Sequence, residues 1–296
     1  MNSNNRILLT GCSGVVGGKL VEELSLIGFT VIGIRGKRPC QVKHRSHQCL
    51  NFNIVSDDLS QYIRDAKATF LIHTAWEMTP KTYWSDPVNF RWTSASILLI
   101  QRFLEFGGEK VFVTGSCAEY SWQSESELSE SSVEDPISEY GKSKLDLLRF
   151  IQREQIPHLW TRTFFQFGQE RPGYKLIPTL IESTLAGVES TLSNPRHIRD
   201  YIHINDVVSI LSKLIQDSRS GVVNLGSGNG ISVLDVVRQI EDTLGKKPKI
   251  KFTDLDGPSS SVVADVNRLR EFTGGFEMQP FAQSIKCTID EYLKPS

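Results

Sequence analysis

The strongest constraint on this chain is the segment TGCSGVVG at residues 10–17, with Gly11, Gly14 and Gly17 at three-residue intervals. A short apolar run, RILL at 6–9, precedes it. Val16, Leu20, Val21, Leu24 and Ile27 follow at helical spacing, and Gly28 is placed to close that helix. Strand, glycine turn and helix in this order predict the phosphate-binding corner of a parallel sheet. Gly11 permits the tight turn. Gly14 lets backbone approach a pyrophosphate at the helix N-terminus, and Gly17 lets helix and strand pack closely. The bland alternative is three packing glycines with no ligand. The strand–turn–helix context argues against it.

The first half repeats this alternation. Residues 30–34 (TVIGI), 69–73 (TFLIH), 110–114 (KVFVT) and 158–164 (HLWTRTF) read as buried strands, and 93–106 and 139–155 as helices. Such spacing implies βαβ units and a right-handed, doubly wound parallel sheet. The expected class is α/β: a Rossmann-type doubly wound parallel sheet with a smaller C-terminal α+β domain. The first domain spans 1–165 plus a returning segment at about 200–226. Residues 166–199 and 227–296 form the second. Residues 121–136 and 254–261 read as polar surface loops.

Composition excludes other classes. The 296 residues carry 33 Lys plus Arg against 34 Asp plus Glu, a net charge of −1, which opposes nucleic-acid binding through a basic footprint. No apolar run reaches the ~20 residues of a membrane span, and the N-terminus lacks the apolar core of a signal peptide. A cytoplasmic location, with no membrane partner, is expected. The five cysteines, Cys12, Cys40, Cys49, Cys117 and Cys287, show no Cys-x-x-Cys spacing. They read as reduced thiols, with no metal site.

Two further features bear on chemistry. The second strand ends in GIRGKRP, with no acid to bind ribose hydroxyls. Arg35, Lys37 and Arg38 stand there instead. A guanidinium suits a ribose phosphate, so NADP is favoured, with NAD as the alternative. In EYGKSK, Tyr140 and Lys144 lie four apart on one face of a helix. An ammonium beside a phenol stabilises the phenolate and equips it for proton exchange.

Taken together, these motifs resemble the extended short-chain dehydrogenase/reductase family, in particular its NAD(P)-dependent epimerase/dehydratase branch acting on nucleotide sugars. TGCSGVVG, HTAW at 73–76, TGSCAEY at 114–120, YGKSK at 140–144, RDYIHINDVV at 199–208 and VNLGSG at 223–228 carry the resemblance in family order. It implies a catalytic set of Ser116, Tyr140 and Lys144. It implies cofactor contacts from Gly11, Ser13, Gly14, Val15, Val16, Gly17, Arg35, Asn53, Ile54, Ala75 and Thr163, as well as Tyr140 and Lys144. Asn53 would meet the adenine amino group through its amide oxygen, or Asp57 or Asp58 would take that place. Trp76, Cys117, Phe165 and Arg199 are the expected substrate contacts. Arg199 would meet the substrate diphosphate, unless it instead pairs with Asp200 or Asp206.

Departures from the pattern concern the substrate pocket. Trp92 stands where an asparagine is usual, and Phe165, beside Gln166, replaces another. A second diphosphate arginine is missing from 256–259 (Asp-Gly-Pro-Ser). Dehydratases of the family carry Asp-Glu directly after the active hydroxyl, where this chain has Cys117 and Ala118. Glu119 follows, and strand alternation should point it elsewhere. The expected activity is a reductase of a nucleotide-linked 4-keto-(6-deoxy) sugar, of the kind used in polysaccharide biosynthesis. A nucleotide-sugar epimerase with retained NAD is the alternative, ahead of a 4,6-dehydratase. A non-catalytic dinucleotide sensor fits poorly with an intact Ser–Tyr–Lys set. The resemblance also implies a homodimer through a four-helix bundle made by helices 93–106 and 140–155. The first has seven apolar residues, Ile97, Leu98, Leu99, Ile100, Phe103, Leu104 and Phe106, which could instead pack inside one subunit.

Overall fold

A computed structural model describes residues 5–36, 38–40, 42, 44, 46–79, 82–123, 127–168 and 175–294. Lys37 and part of the 121–136 loop (124–126) lie outside them. In chain order the elements are β1 (Arg6–Thr10), α1 (Val15–Leu26), β2 (Thr30–Arg35), β3 (His47–Asn51), α2 (Ser60–Ala66), β4 (Phe70–His73), α3 (Val88–Glu105) and β5 (Lys110–Ser116). β6 (Glu127–Leu128), α4 (Glu139–Arg153), β7 (His158–Thr163), β8 (Phe165–Phe167), α5 (Leu176–Ala186), β9 (Ser190–Leu192) and β10 (Ile198–His203) follow. The chain ends with α6 (Ile204–Gln216), β11 (Gly221–Leu225), β12 (Gly230–Ser232), α7 (Val233–Leu244), β13 (Ile250–Phe252), β14 (Ser261–Ala264), α8 (Asn267–Thr273) and α9 (Phe281–Tyr292).

The chain divides into two compact units. One comprises 1–119, 134–162 and 208–223, the other 120–133, 163–207 and 224–296. In the first, a seven-stranded sheet runs β11-β7-β5-β4-β1-β2-β3. The ladders joining β3, β2, β1, β4 and β5 are parallel. From β1 the chain builds outward through β2 and β3, then crosses back to β4. The strand order therefore reverses between β1 and β4, where open α/β sheets bind ligands beyond their carboxyl ends. Leu8, Ile32, Leu71, Val111 and Trp160 from the sheet pack with Leu99, Ile100 and Phe103 of α3 and Leu145, Leu147, Leu148 and Ile151 of α4. The fold is the expected Rossmann-type α/β class.

β3 and α2 were invisible in the sequence pattern. β3 reads HQCLN, a half-exposed edge strand without an apolar run. Helix α3 starts five residues before the expected 93, led by Pro87, whose ring suits a helix start. The 121–136 segment is not wholly a surface loop. Glu127–Leu128 form β6, paired in parallel with β14, and Leu128 is fully buried.

In the second unit β12-β10-β14-β6 form a mixed sheet, with β8 paired to β10 and β13 to β9. Its core joins Phe167 and Tyr201 to Ile177, Leu180 and Ile181 of α5, Val236 and Ile240 of α7, and Ile285 and Ile289 of α9.

Candidate active site

The glycine turn closes as its residue types require. Gly11 has φ +81°, and a Cβ there would lie 2.8 Å from Thr74 Oγ1 and 2.9 Å from Ala75 N. A Cβ on Gly17 would lie 2.2 Å from Gly11 O. The turn and the end of β4 therefore touch backbone to backbone at the strand-order reversal. Gly14 is the N-cap of α1 and offers no side chain to its first amides. Those amides, at the positive end of the helix dipole, suit a pyrophosphate. Ser13, Val15 and Val16 are half-exposed beside them.

The other expected cofactor contacts are spread along the same strand ends. Arg35 closes β2, where its Nη1 donates to Gly36 O (3.1 Å), Arg38 O (3.4 Å) and Asn51 Oδ1 (3.2 Å). Asn53 turns the chain after β3: its Oδ1 accepts Val55 N–H at 3.1 Å, so one lone pair of the expected adenine acceptor is already engaged. Asp57 accepts Asn53 N–H at 2.7 Å, and Asp58 accepts Ser60 N–H at the start of α2 (2.9 Å). Both alternatives to Asn53 thus serve local turns. The Ile54 side chain lies in the core, so any contact it makes is through backbone. Ala75 donates its N–H toward Thr10 Oγ1 at 3.4 Å.

Ser116, Tyr140 and Lys144, the expected catalytic set, all lie in the first unit. Ser138 caps α4, its hydroxyl accepting Gly141 N–H at 3.0 Å, and the helix carries Tyr140 and Lys144 inward. Lys144 Nζ donates to Thr114 O at 2.9 Å and stands 3.8 Å above the centre of the Trp76 ring. It is 5.9 Å from the Tyr140 ring centre. Burial pushes the Lys144 ammonium down to about 7, against the opposing pull of Glu119. Trp76, Tyr83 and Trp84 meet the Tyr140 ring edge-on, with centroids 6.3, 5.5 and 5.9 Å away.

Ser116 ends β5, and its hydroxyl accepts Ala118 N–H at 3.2 Å. Residues Cys117–Glu119 form a single 3-10 turn, so turn geometry rather than strand alternation directs Glu119. Glu119 is fully buried. It accepts from Ser116 N–H (2.7 Å), Trp160 Nε1 (3.0 Å) and Arg162 Nε (2.8 Å). Burial raises its carboxyl, and Arg162 opposes that rise. Arg162 also pairs with Glu134. This buried pair anchors the backbone that presents Ser116, a role the sequence reading did not assign. Cys117 is buried within the turn.

His73, also fully buried, lies 2.7 Å from Thr10 Oγ1 through Nδ1 and 2.8 Å from Ser96 Oγ through Nε2. Burial, with the Lys144 charge, holds it neutral and down to about 3. Trp76 donates to Asn89 Oδ1 at 2.8 Å, and Asn89 is itself buried and anchored to Tyr83 O and Asp86 O. A buried asparagine on α3 thus exists one turn before Trp92. Trp92 faces Glu77 instead, 3.3 Å from Oε2.

In the second unit Arg199 and Phe165 come together. The guanidinium lies 5.5 Å from the Phe165 ring centre and 5.6 Å from that of Trp122, an aromatic the sequence reading passed over. Arg199 donates to Ser260 O (2.9 Å) and Ser260 Oγ (3.0 Å). Asp200 is turned to other partners: it accepts from Ser227 N–H, Gly228 N–H and Ala264 N–H at 2.7, 2.9 and 3.1 Å. Arg196 reaches Gly257 O at 2.9 Å, placing a cation against the segment that lacks its own. Thr163 ends β7, half-buried.

A dinucleotide turn joined to a Ser–Tyr–Lys set defines an oxidoreductase-type Rossmann enzyme of the short-chain dehydrogenase/reductase class. Residues 7–226 match the profile of the NAD dependent epimerase/dehydratase family, and the chain belongs to that family. It is 26% identical over 290 residues to a Bacillus subtilis protein described as an uncharacterized UDP-glucose epimerase, covering 90% of this chain and 91% of that one. It is 25% identical over 302 residues to the UDP-glucose 4-epimerase of Azospirillum brasilense, covering 91% and 86%. Among solved structures, MoeE5 in complex with UDP-glucose and NAD superposes with a TM-score of 0.84 at 25% identity, over 96% of this chain and 97% of that one. The UDP-glucose 4-epimerase of Thermus thermophilus, in complex with NAD, shares the fold with a TM-score of 0.85 at 21% identity, over 97% and 98%. No helix among the described residues is long and apolar enough to cross a membrane.

Proposed function

We propose that this chain is a cytoplasmic nucleotide-diphosphate-hexose 4-epimerase that retains NAD. This reading replaces the ketosugar reductase favoured by sequence. The observation that carries it is the run of UDP-glucose 4-epimerases matched along nine-tenths of the chain. The residues after Ser116 agree. Cys117 and Ala118 cannot supply the acid and base of a dehydratase, which leaves the set epimerisation or simple reduction.

The turn at Gly11–Gly17 fits a dinucleotide pyrophosphate, because α1 begins there and Gly14, its N-cap, sets no side chain over the first helical amides. NAD, when held there, supplies reversible hydride storage. The protein supplies the rest. Tyr140 takes the proton of the sugar hydroxyl as phenolate and gives it back after the keto sugar has turned over. Lys144 stabilises that phenolate. Ser116 donates a hydrogen bond to the reacting oxygen, on which negative charge changes during the step. Arg199, framed by Trp122 and Phe165, serves the substrate diphosphate, and Arg196 supplies the second cation. Pairing of two chains through α3 and α4 is supported by Phe90 and Leu98 on α3, 42% and 54% exposed. Leu99, Ile100 and Phe103 are buried in the core, and Ile97, Leu104 and Phe106 pack against it. Light scattering that shows only 33 kDa species would remove the pairing.

The test is to denature the purified protein and quantify released nucleotide, then to offer UDP-glucose and UDP-galactose without added cofactor. Near-stoichiometric NAD and interconversion of the two sugars are expected. An empty protein that oxidises NADPH with a nucleotide 4-keto sugar, and does not interconvert the pair, would restore the reductase. The lack of an acid at the end of β2, with Arg35 in its place, is the feature favouring that second reading.

A further inference from the structure

We propose that Cys12, Cys40, His47 and Cys49 form a tetrahedral site for one zinc-type divalent cation, tying the glycine turn to β2 and β3. Their ligand atoms all lie within 4.8 Å of one another. Cys12 Sγ is 3.5 Å from Cys49 Sγ, and Cys40 Sγ is 3.3 Å from His47 Nε2. Zinc–sulfur and zinc–nitrogen bonds of about 2.3 and 2.0–2.1 Å give tetrahedral edges of about 3.8 Å between sulfurs and about 3.6 Å between sulfur and nitrogen. Both distances come within a few tenths of an ångström of those edges.

The fold explains why four distant residues meet. β2 lies between β1 and β3, with Val31 in register with His47 and Gly33 with Cys49. His47 and Cys49, two apart on β3, share one face. Cys12 hangs over β2 from the turn after β1, its N–H 3.3 Å from Ile34 O. The space where they meet is provided by Gly33. A Cβ there would lie 2.6 Å from His47 Cε1 and 2.7 Å from Cys12 Sγ. Cys40 completes the set from the segment between β2 and β3, its Sγ 3.6 Å from Cys12 O.

The imidazole is oriented as a ligand. His47 Nδ1 lies 3.2 Å from Val31 O and donates to it, which leaves Nε2 as the coordinating nitrogen. Three thiolates and an imidazole are a soft donor set that selects zinc over magnesium or calcium. Four protein ligands leave no open position, so the role is structural. Without a cation, burial raises the Cys12 and Cys49 thiols. Loading would displace those protons. The sequence reading assigned no metal because the spacing Cys-x27-Cys-x6-His-x-Cys belongs to no contiguous zinc motif.

The test uses the full-length chain, purified untagged under reductant without chelator. Elemental analysis should find about one zinc per chain, and cobalt substitution should give the visible bands of tetrahedral thiolate coordination. Cys40→Ser and His47→Ala should each weaken zinc binding by more than about tenfold. Cys287→Ser, outside the cluster, should bind normally. Zinc should also raise the melting temperature of metal-stripped wild type, a readout that survives misfolding of a variant. Reduced, folded protein that takes up under about one-tenth zinc from a micromolar solution overturns the site. So does uptake unchanged in both variants, or a Cys12–Cys49 disulfide in protein that refuses zinc after reduction. Metal content is read without any sugar substrate, so failure of the epimerase reading would leave this result standing.

Discussion

The middle and the edge of the seven-stranded sheet handle buried reactive groups differently. At the middle, beside β5 and α4, Glu119 is matched by Arg162, and Lys144 has Thr114 O, the Trp76 face and the Glu119 charge. Every charge there has a counterpart within the protein. At the edge, over β2, three thiols and an imidazole converge with no protein cation among the four. Buried charge must be paired or coordinate a metal. The proposed catalytic centre follows the first course, and the proposed edge site the second. A site whose charges are matched can be ready before ligand arrives, whereas thiols kept protonated by burial ionise only when an ion binds.

The comparison can be broken first at the middle. Tyr140→Phe should lower kcat by ~10³-fold while retaining bound nucleotide, since general acid–base catalysis contributes about 10²–10⁴. Turnover within tenfold of wild type would take Tyr140 out of the chemistry. Lys144→Met should cost ~10²-fold and carry a stability signature. Its folded pKa, about 7, lies below the ordinary 10.5. The unfolded chain therefore binds more protons between those values, and stability rises with pH across that window. Wild type should lose melting temperature relative to Lys144→Met as pH falls from about 10 to 7. A difference independent of pH would show that Lys144 is not desolvated.

Gly17→Ala sets a Cβ 2.2 Å from Gly11 O, so turn and helix must part. A loss of roughly 1–3 kcal/mol and weaker nucleotide retention are expected from such overpacking. Normal retention would show the turn to be looser than its geometry. The smallest effect belongs to Trp76→Leu. Removing the indole under Lys144 should lower kcat about fivefold, the scale of a cation–π contact worth about 1 kcal/mol. Cofactor content should not change, in contrast to the edge variants if the metal steadies the glycine turn.

The difference between the two regions is also one of legibility. Tyr140 and Lys144 share a helix face, so four residues of spacing predicted their partnership. Gly11, Gly14 and Gly17 were readable because one turn must satisfy a strand, a helix and a phosphate at once. Glu119 was read as pointing away from the reaction, but its true task, holding Ser116 N–H with Arg162 behind it, needed β7 beside β5. Of the apolar residues named on helix 93–106, six pack in or against the core and Leu98 alone is exposed, a division its periodicity could not show. Arg199 was expected at the substrate diphosphate, with Asp200 or Asp206 as its alternative partner, and Asp200 is taken by the Ser227–Gly228 turn instead.

What the sequence by itself determined is the alternation of strand and helix, the glycine turn before α1 and the helix that carries Tyr140 and Lys144. Each rests on a local period, 2 or 3.6 residues, or on a backbone conformation that only glycine adopts readily. What only the tertiary structure decided is the company of Cys12. Cys49 is 37 residues away and Cys40 is 28. No local period connects them. The parallel register of β1, β2 and β3, with a glycine at 33 leaving room over the middle strand, brings them to one point.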